Sequence, residues 1–118
     1  MAIRNLRHYA LRVPDLGAGV QFYRDFGLEV EIRGNQAHCR SAGRDHDEVI
    51  LFGGGPRALH HVRWGTDADG LGEISQKLAL SGTVLLDAPP EWADDGIWFR
   101  DPDGDLLNLV VAEETEAP

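Results

Sequence analysis

The sequence predicts an α+β domain built from two tandem β-α-β-β-β modules, residues 1–52 and 59–118, joined by a connector at 53–58. Three observations predict it. A strand pattern followed by a helix pattern opens the chain at "LRHYALRVPDLGAGVQFYRDFG" (6–27) and starts again at "LHHVRWG" (59–65) and "ADGLGEISQKLALSG" (68–82). The two openings are separated by "GGGPRA" (53–58), rich in Gly and Pro as a connector is. A histidine stands at the matching point of both opening strands, His8 and His61. Such a repeat is a specific signal, because neither half could bury its sheet face alone.

Each element has its own grounds. "LRHYALRV" (6–13) alternates as a strand does, with Leu6, His8, Ala10 and Arg12 on one side and Arg7, Tyr9, Leu11 and Val13 on the other. Asp15 can cap a helix that carries Val20, Phe22, Tyr23 and Phe26 at near-helical spacing, and Gly27 ends it. The aromatics on that helix are expected to pack in the core. "LEVEIRG" (28–34) alternates apolar and charged residues like a half-exposed strand, and "QAHCRSA" and "DEVILFG" complete the first module. In the second module Leu71, Ile74, Leu78 and Leu80 are the apolar helix positions, and "TVLLD" (83–87), "GIWFRD" (96–101) and "LLNLVV" (106–111) are its further strands. "DPDGD" (101–105) reads as a tight hairpin, since the calcium-loop pattern is not completed. The acidic "AEETEAP" (112–118) lacks apolar periodicity and is expected to fray.

Bulk properties limit the function classes. With 118 residues the chain is long enough to bury a core without staples. Twenty acidic against 11 basic residues give a net charge of −9, which repels phosphate backbones and anionic lipid. Nucleic acid and membrane are therefore not the expected partners; a small molecule is. The single cysteine, Cys39, forms no internal disulfide and suits a reducing compartment. No 18-residue apolar run exists and "MAIRNLRHYAL" has no signal-peptide core, so the expected location is cytoplasmic.

Three stretches, "LRHYALRVPDLGAGVQFYRDFGLEV" (6–30), "ALHHVRW" (58–64) and "GIWFRDPDGDLLNLVV" (96–111), resemble the vicinal oxygen chelate superfamily. That superfamily holds glyoxalase I, bleomycin and fosfomycin resistance proteins and type I extradiol dioxygenases. The resemblance implies that the two modules curl into an open U-shaped barrel with a small ligand or a metal on its concave face. In metal-dependent members each opening strand supplies a histidine, which falls on His8 and His61, and the last strand supplies a glutamate, which falls on Asn108. Glyoxalase-type members add a carboxylate whose nearest match is Leu51; extradiol members do without it. Extradiol members also use an acid–base histidine ahead of the second ligand, where His46 stands, and a tyrosine ahead of the last, where Trp98 stands. Two imidazoles and a carboxylate hold Fe(II) or Mn(II) while leaving positions for a catecholate and dioxygen. The resemblance therefore implies a divalent metal, Fe(II) or Mn(II), on His8, His61 and Asn108, with His46 catalytic. Asn108 departs from the pattern, because an amide oxygen binds a divalent ion less strongly than a carboxylate.

Asn108 is also a polar residue in an apolar strand. It is a weak metal ligand, a hydrogen-bonding contact to a cavity ligand, or a buried amide satisfied by backbone; a cavity-facing role is favoured. A buried amide without partners costs a few kcal/mol. Strand alternation turns His60 away from His61. His38 and Cys39 read as structural. Trp64 and Trp98 either line the ligand cavity, where flat rings suit an aromatic, or pack in the core. The leading expectation is a metal-dependent, extradiol dioxygenase-like oxidoreductase acting on a small catechol-like aromatic, as a homodimer or with a larger dioxygenase partner subunit. The alternatives are a metal-free protein that binds an antibiotic or aromatic ligand in the same cavity, for which the acidic balance suits a cationic ligand, and a glyoxalase-like isomerase.

Overall fold

The computed structural model describes residues 3–44, 46–92 and 96–112. The tail expected to fray lies, from residue 113 on, outside the described residues. The elements run β1 (Ile3–Val13), α1 (Leu16–Phe26), β2 (Glu29–Arg33), β3 (Gln36–Arg40), β4 (Val49–Gly53), β5 (Ala58–Thr66), α2 (Ala68–Leu80), a 3-10 turn (Pro90–Trp92), β6 (Ile97–Arg100) and β7 (Leu106–Val111). Among the described residues no helix is long and apolar enough to cross a membrane.

By its contacts the described chain falls into two compact units, one over residues 7–61 and one over 3–6 with 62–112. The division falls inside β1 and β5. The connector stays with the first unit, because the Gly54 N–H donates to the Val13 carbonyl at 2.9 Å and Gly55 lies against the Arg12 side chain. Gly54 and Gly55 take φ values of 100° and 75°, which side chains rarely adopt.

In the unit of residues 7–61 the strand order is β2-β3-β4-β1. Pairing is antiparallel for β2/β3 and β3/β4 and parallel for β1/β4. Helix α1 is capped by the Asp15 carboxylate, which accepts from the Ala18 N–H at 3.1 Å, and ends at Gly27 with φ 117°. It covers one sheet face: Val20 packs with Ala37, Cys39, Val49 and Leu51, flanked by Tyr9, Leu11, Val13, Leu16 and Tyr23. A Cβ at Gly19 would stand 3.0 Å from Leu51 Cδ1, so glycine lets the helix close onto β4. Alternation along β1 and β4 puts His8, Ala10, Arg12, Ile50 and Phe52 on the opposite face, with Ala10 beside Ile50 and Arg12 beside Phe52. The expected core role of the α1 aromatics is corrected in part. Only Tyr23 packs inward, in line with Leu16 and Val20. Phe22 and Phe26 are 60% and 74% exposed, because they fall one helical turn apart on the outward side, where their rings stack at 6.2 Å.

In the unit containing residues 62–112, β7 lies between β5, which it pairs in parallel, and β6, which it pairs antiparallel. The Asp67 carboxylate caps α2 by accepting from the Gly70 N–H at 2.7 Å. The β6–β7 connection is the expected hairpin: Asp101 Oδ1 accepts from the Asp103 and Asp105 N–H groups, and Gly104 sits at φ 91°. The strand expected at "TVLLD" does not form. It is reduced to one bridge, in which the Leu86 N–H donates to the Trp98 carbonyl at 2.7 Å. Val84, Leu85 and Leu86 are exposed, so no apolar face holds them down. Pro89 and Pro90 follow after Ala88 and have no N–H to extend a ladder.

Candidate functional site

The face of the first unit turned away from α1 carries an unusual run of rings. His8 on β1 and His61 on β5 are 5% and 0% exposed. Their Nε2 atoms lie 2.8 Å apart, with the rings edge to face at 4.9 Å. Two buried nitrogens that close share a proton or converge on a common cation. His60 joins them, contrary to the alternation expected for it: its Nδ1 lies 2.8 Å from His61 Nδ1. The His60 ring stacks on Phe52 at 4.3 Å and 20°, and the Arg12 guanidinium stands 6.0 Å from the Phe52 ring centre. The sequence reading missed His60, Phe52 and Arg12; the doubled histidine in "LHHV" was the available signal for the first of them.

Leu51, the nearest match to a glyoxalase-type carboxylate, is buried in the cluster under α1, on the face opposite His8. His46 is partly buried in the bend before β4, close to Glu48. Burial alone would raise the Glu48 pKa. Hydrogen bonds from the Ser41 hydroxyl and N–H, with Arg44 and His46 nearby, outweigh it and hold the carboxyl below its ordinary range. His38 is buried between Asp47 Oδ2 at 3.1 Å and Gln36 Oε1 at 3.0 Å, and Arg40 pairs with the same aspartate at 3.2 Å. Cys39 is fully buried, and burial pushes its thiol up to about 11.

In the second unit Asn108 is 0% exposed. Its Nδ2 donates to the Ile97 carbonyl at 3.1 Å, and its Oδ1 accepts from Arg63 Nη1 at 3.3 Å. Both ends of the amide are thus engaged by protein groups of its own unit. A cation at the same oxygen would share it with a guanidinium. Gly96 makes room for this arrangement: at φ 88°, a Cβ there would stand 2.3 Å from the Leu109 carbonyl oxygen and 3.1 Å from Asn108 Nδ2.

The two tryptophans expected to line one cavity lie on opposite faces. Trp98 pairs with Asn108 and shares its face. Trp64 pairs with Leu109, one residue further on, and so points the other way. There it lines an apolar hollow of about 350 Å³ with Ile74 and Leu78 of α2, Phe99 and Leu107.

The His8–His61 pair would offer two imidazole nitrogens to a divalent ion. Among the described residues no group of three or more His, Cys, Asp or Glu side chains is placed to hold a metal. The donor set fits a two-nitrogen site without a carboxylate.

The sequence profile of the Glyoxalase/Bleomycin resistance protein/Dioxygenase superfamily matches residues 5–109. Metapyrocatechase 2 of Cupriavidus necator is 30% identical over 116 residues, which are 97% of this chain and 35% of that protein. The chain thus spans about a third of the curated relative it matches. Solved structures share the fold. The Mn(II)-bound glyoxalase from Novosphingobium aromaticivorans has a TM-score of 0.78 at 22% identity, over 98% of this chain and 43% of its own. A halotolerant catechol dioxygenase has 0.80 at 21%, over 99% and 42%. The 2,2',3-trihydroxybiphenyl 1,2-dioxygenase from Sphingomonas wittichii has 0.80 at 24%, over 99% and 43%.

Proposed function

Since the chain belongs to the Glyoxalase/Bleomycin resistance protein/Dioxygenase superfamily, we propose that it is an extradiol dioxygenase-like oxidoreductase domain whose site centres on His8 and His61. The observation that carries this reading is the pair of buried Nε2 atoms 2.8 Å apart on the face away from α1. The substrate proposed is a small catechol-like aromatic, as the names of metapyrocatechase 2 and the dioxygenases of similar fold suggest.

His8 and His61 would hold a divalent ion, Fe(II) or Mn(II), through their Nε2 atoms. Such an ion, when bound, supplies open positions on which a catecholate and dioxygen meet. The remaining work falls to the chain's own side chains. The flat Phe52–His60 stack offers a wall for an aromatic ring, and the Arg12 guanidinium offers a positive charge at its far end. His46 is the proposed proton acceptor for the substrate hydroxyl. Because the chain spans about a third of its curated relative, it performs this chemistry as a compact relative or together with further protein.

A second reading is a metal-free small-molecule binding domain on the same face. It is favoured by the engagement of the Asn108 amide oxygen with Arg63, where metal-dependent relatives are expected to carry a carboxylate. Titration of Fe(II) and Mn(II) into the parent and into His61→Gln, with oxygen uptake followed on a panel of catechols, separates the two. Gln is chosen because His61 is fully buried and needs its volume replaced. Ion binding and catechol-dependent oxygen uptake in the parent, both lost in a folded His61→Gln, are expected. A parent that takes up neither ion but still binds catechols would favour the second reading.

A further inference from the structure

His61 meets two other imidazoles, one through each ring nitrogen: Nε2 at 2.8 Å from His8 Nε2, and Nδ1 at 2.8 Å from His60 Nδ1. A neutral imidazole carries one proton, so one nitrogen donates and the other accepts. Three neutral rings in line then have two proton orderings. In the first, His8 Nε2 donates to His61 Nε2, and His61 Nδ1 donates to His60 Nδ1. In the second both bonds run the other way, and His61 carries its proton on Nε2. Only the first leaves a lone pair on His61 Nε2, the atom that faces His8.

We propose that His60 is a positioning residue that holds His61 in its Nδ1–H tautomer by accepting that proton at its own Nδ1. The inference rests on the reading of His8 and His61 as the ion-holding pair. A histidine that binds a metal through one nitrogen donates its other N–H to a fixed acceptor, which sets the tautomer and aims the ring. Here the acceptor is the preceding residue of the same strand. His60 is itself aimed, since its ring lies on Phe52 at 4.3 Å and 20° and Phe52 belongs to the fully buried strand β4. With His61 already in this tautomer, holding an ion would ask only that His8 move its proton from Nε2 to Nδ1, and the His60–His61 bond would stay intact.

Two variants and two measurements test the proposal. His60→Phe keeps a ring for Phe52 and removes the acceptor; His60→Asn returns an acceptor oxygen near the place of Nδ1. Long-range proton–nitrogen NMR spectra of the chelator-treated protein report which nitrogen of His61 carries the proton. Mn(II) affinity is measured in parallel by electron paramagnetic resonance. The parent and His60→Asn should both show His61 as the Nδ1–H form, and His60→Phe should shift it toward Nε2–H. Mn(II) binding should weaken roughly 10- to 100-fold in His60→Phe and recover in His60→Asn. A parent with the His61 proton on Nε2, or a His60→Phe spectrum unchanged from the parent, overturns the proposal. If the parent binds no Mn(II), the ion-holding reading of His8 and His61 fails, and the tautomer spectra still decide the part played by His60. The parent spectrum and the His60→Asn comparison remain decisive if His60→Phe does not fold.

Discussion

Replacing Asn108 with leucine removes its hydrogen bonds to Ile97 and Arg63 at nearly constant volume. The Nδ2 bond to the Ile97 carbonyl is lost, but that oxygen keeps its place in the β6–β7 ladder opposite Leu109, so the cost is that of one net hydrogen bond, about 0.5–1.5 kcal/mol. The Oδ1 contact with Arg63 adds little, because at 3.3 Å it is long and the half-buried guanidinium has other N–H groups to place. The expected loss is therefore about 0.5–1.5 kcal/mol, against a typical domain stability of about 5–15 kcal/mol. With a urea m-value of about 2 kcal/mol/M, the unfolding midpoint should fall by roughly 0.25–0.75 M. Arg63→Met, and the pair of changes together, complete a cycle in which the Arg63–Asn108 coupling should stay below about 1 kcal/mol. An Asn108→Leu protein with an unchanged or higher midpoint would show that the amide is not fixed by Ile97. Its place in the strand would then need another cause.

Two further outcomes follow from glycine and thiol geometry. Gly96→Ala puts a Cβ 2.3 Å from the Leu109 carbonyl oxygen at φ 88°, so it should cost more than about 2 kcal/mol, the left-handed penalty alone being about 1–2; a denaturation midpoint close to the parent's would contradict it. Cys39 should resist thiol reagents until the chain unfolds, and its pKa, raised by burial from 9.0 to about 11, sets a pH trend. The unfolded thiol ionises first, so the contribution of Cys39 is fully present below about pH 9 and is lost as pH rises through about 11. The stability gap between the parent and Cys39→Ala should narrow over that range, and a constant gap would show that the folded thiol is not shifted.

The parts of the fold governed by short-range periodicity were legible in the residues. Alternation around His8 identified β1 and its two faces, and Asp15 and Gly27 marked the ends of α1 as they occur. What escaped was decided by long-range register. Trp64 and Trp98 each look fit to line a cavity, but whether they share a face depends on pairing with Leu109 and Asn108, adjacent residues of β7. The partners of Asn108 likewise come from β5 and β6, and no local pattern announces them. "TVLLD" has the composition of a strand and lacks only a partner over more than one residue. His60 was misplaced by simple alternation, and its contacts with the His61 and Phe52 rings are not written in the local pattern.

The parallel pairing in each unit also bears on how the chain reaches its native state. In the first unit β1 must wait for β4, so that Tyr9 meets Val49; in the second, Arg63 and Asn108 meet across 45 residues of chain. Such distant pairing pays its loop-closure entropy before any contact rewards it, so it should form later than the local hairpins. On the ribosome the opening strand of either half emerges without its parallel neighbour. The hairpins β2–β3 and β6–β7 can form early from local contacts, whereas the face bearing His8 is completed only after β4 has been synthesised.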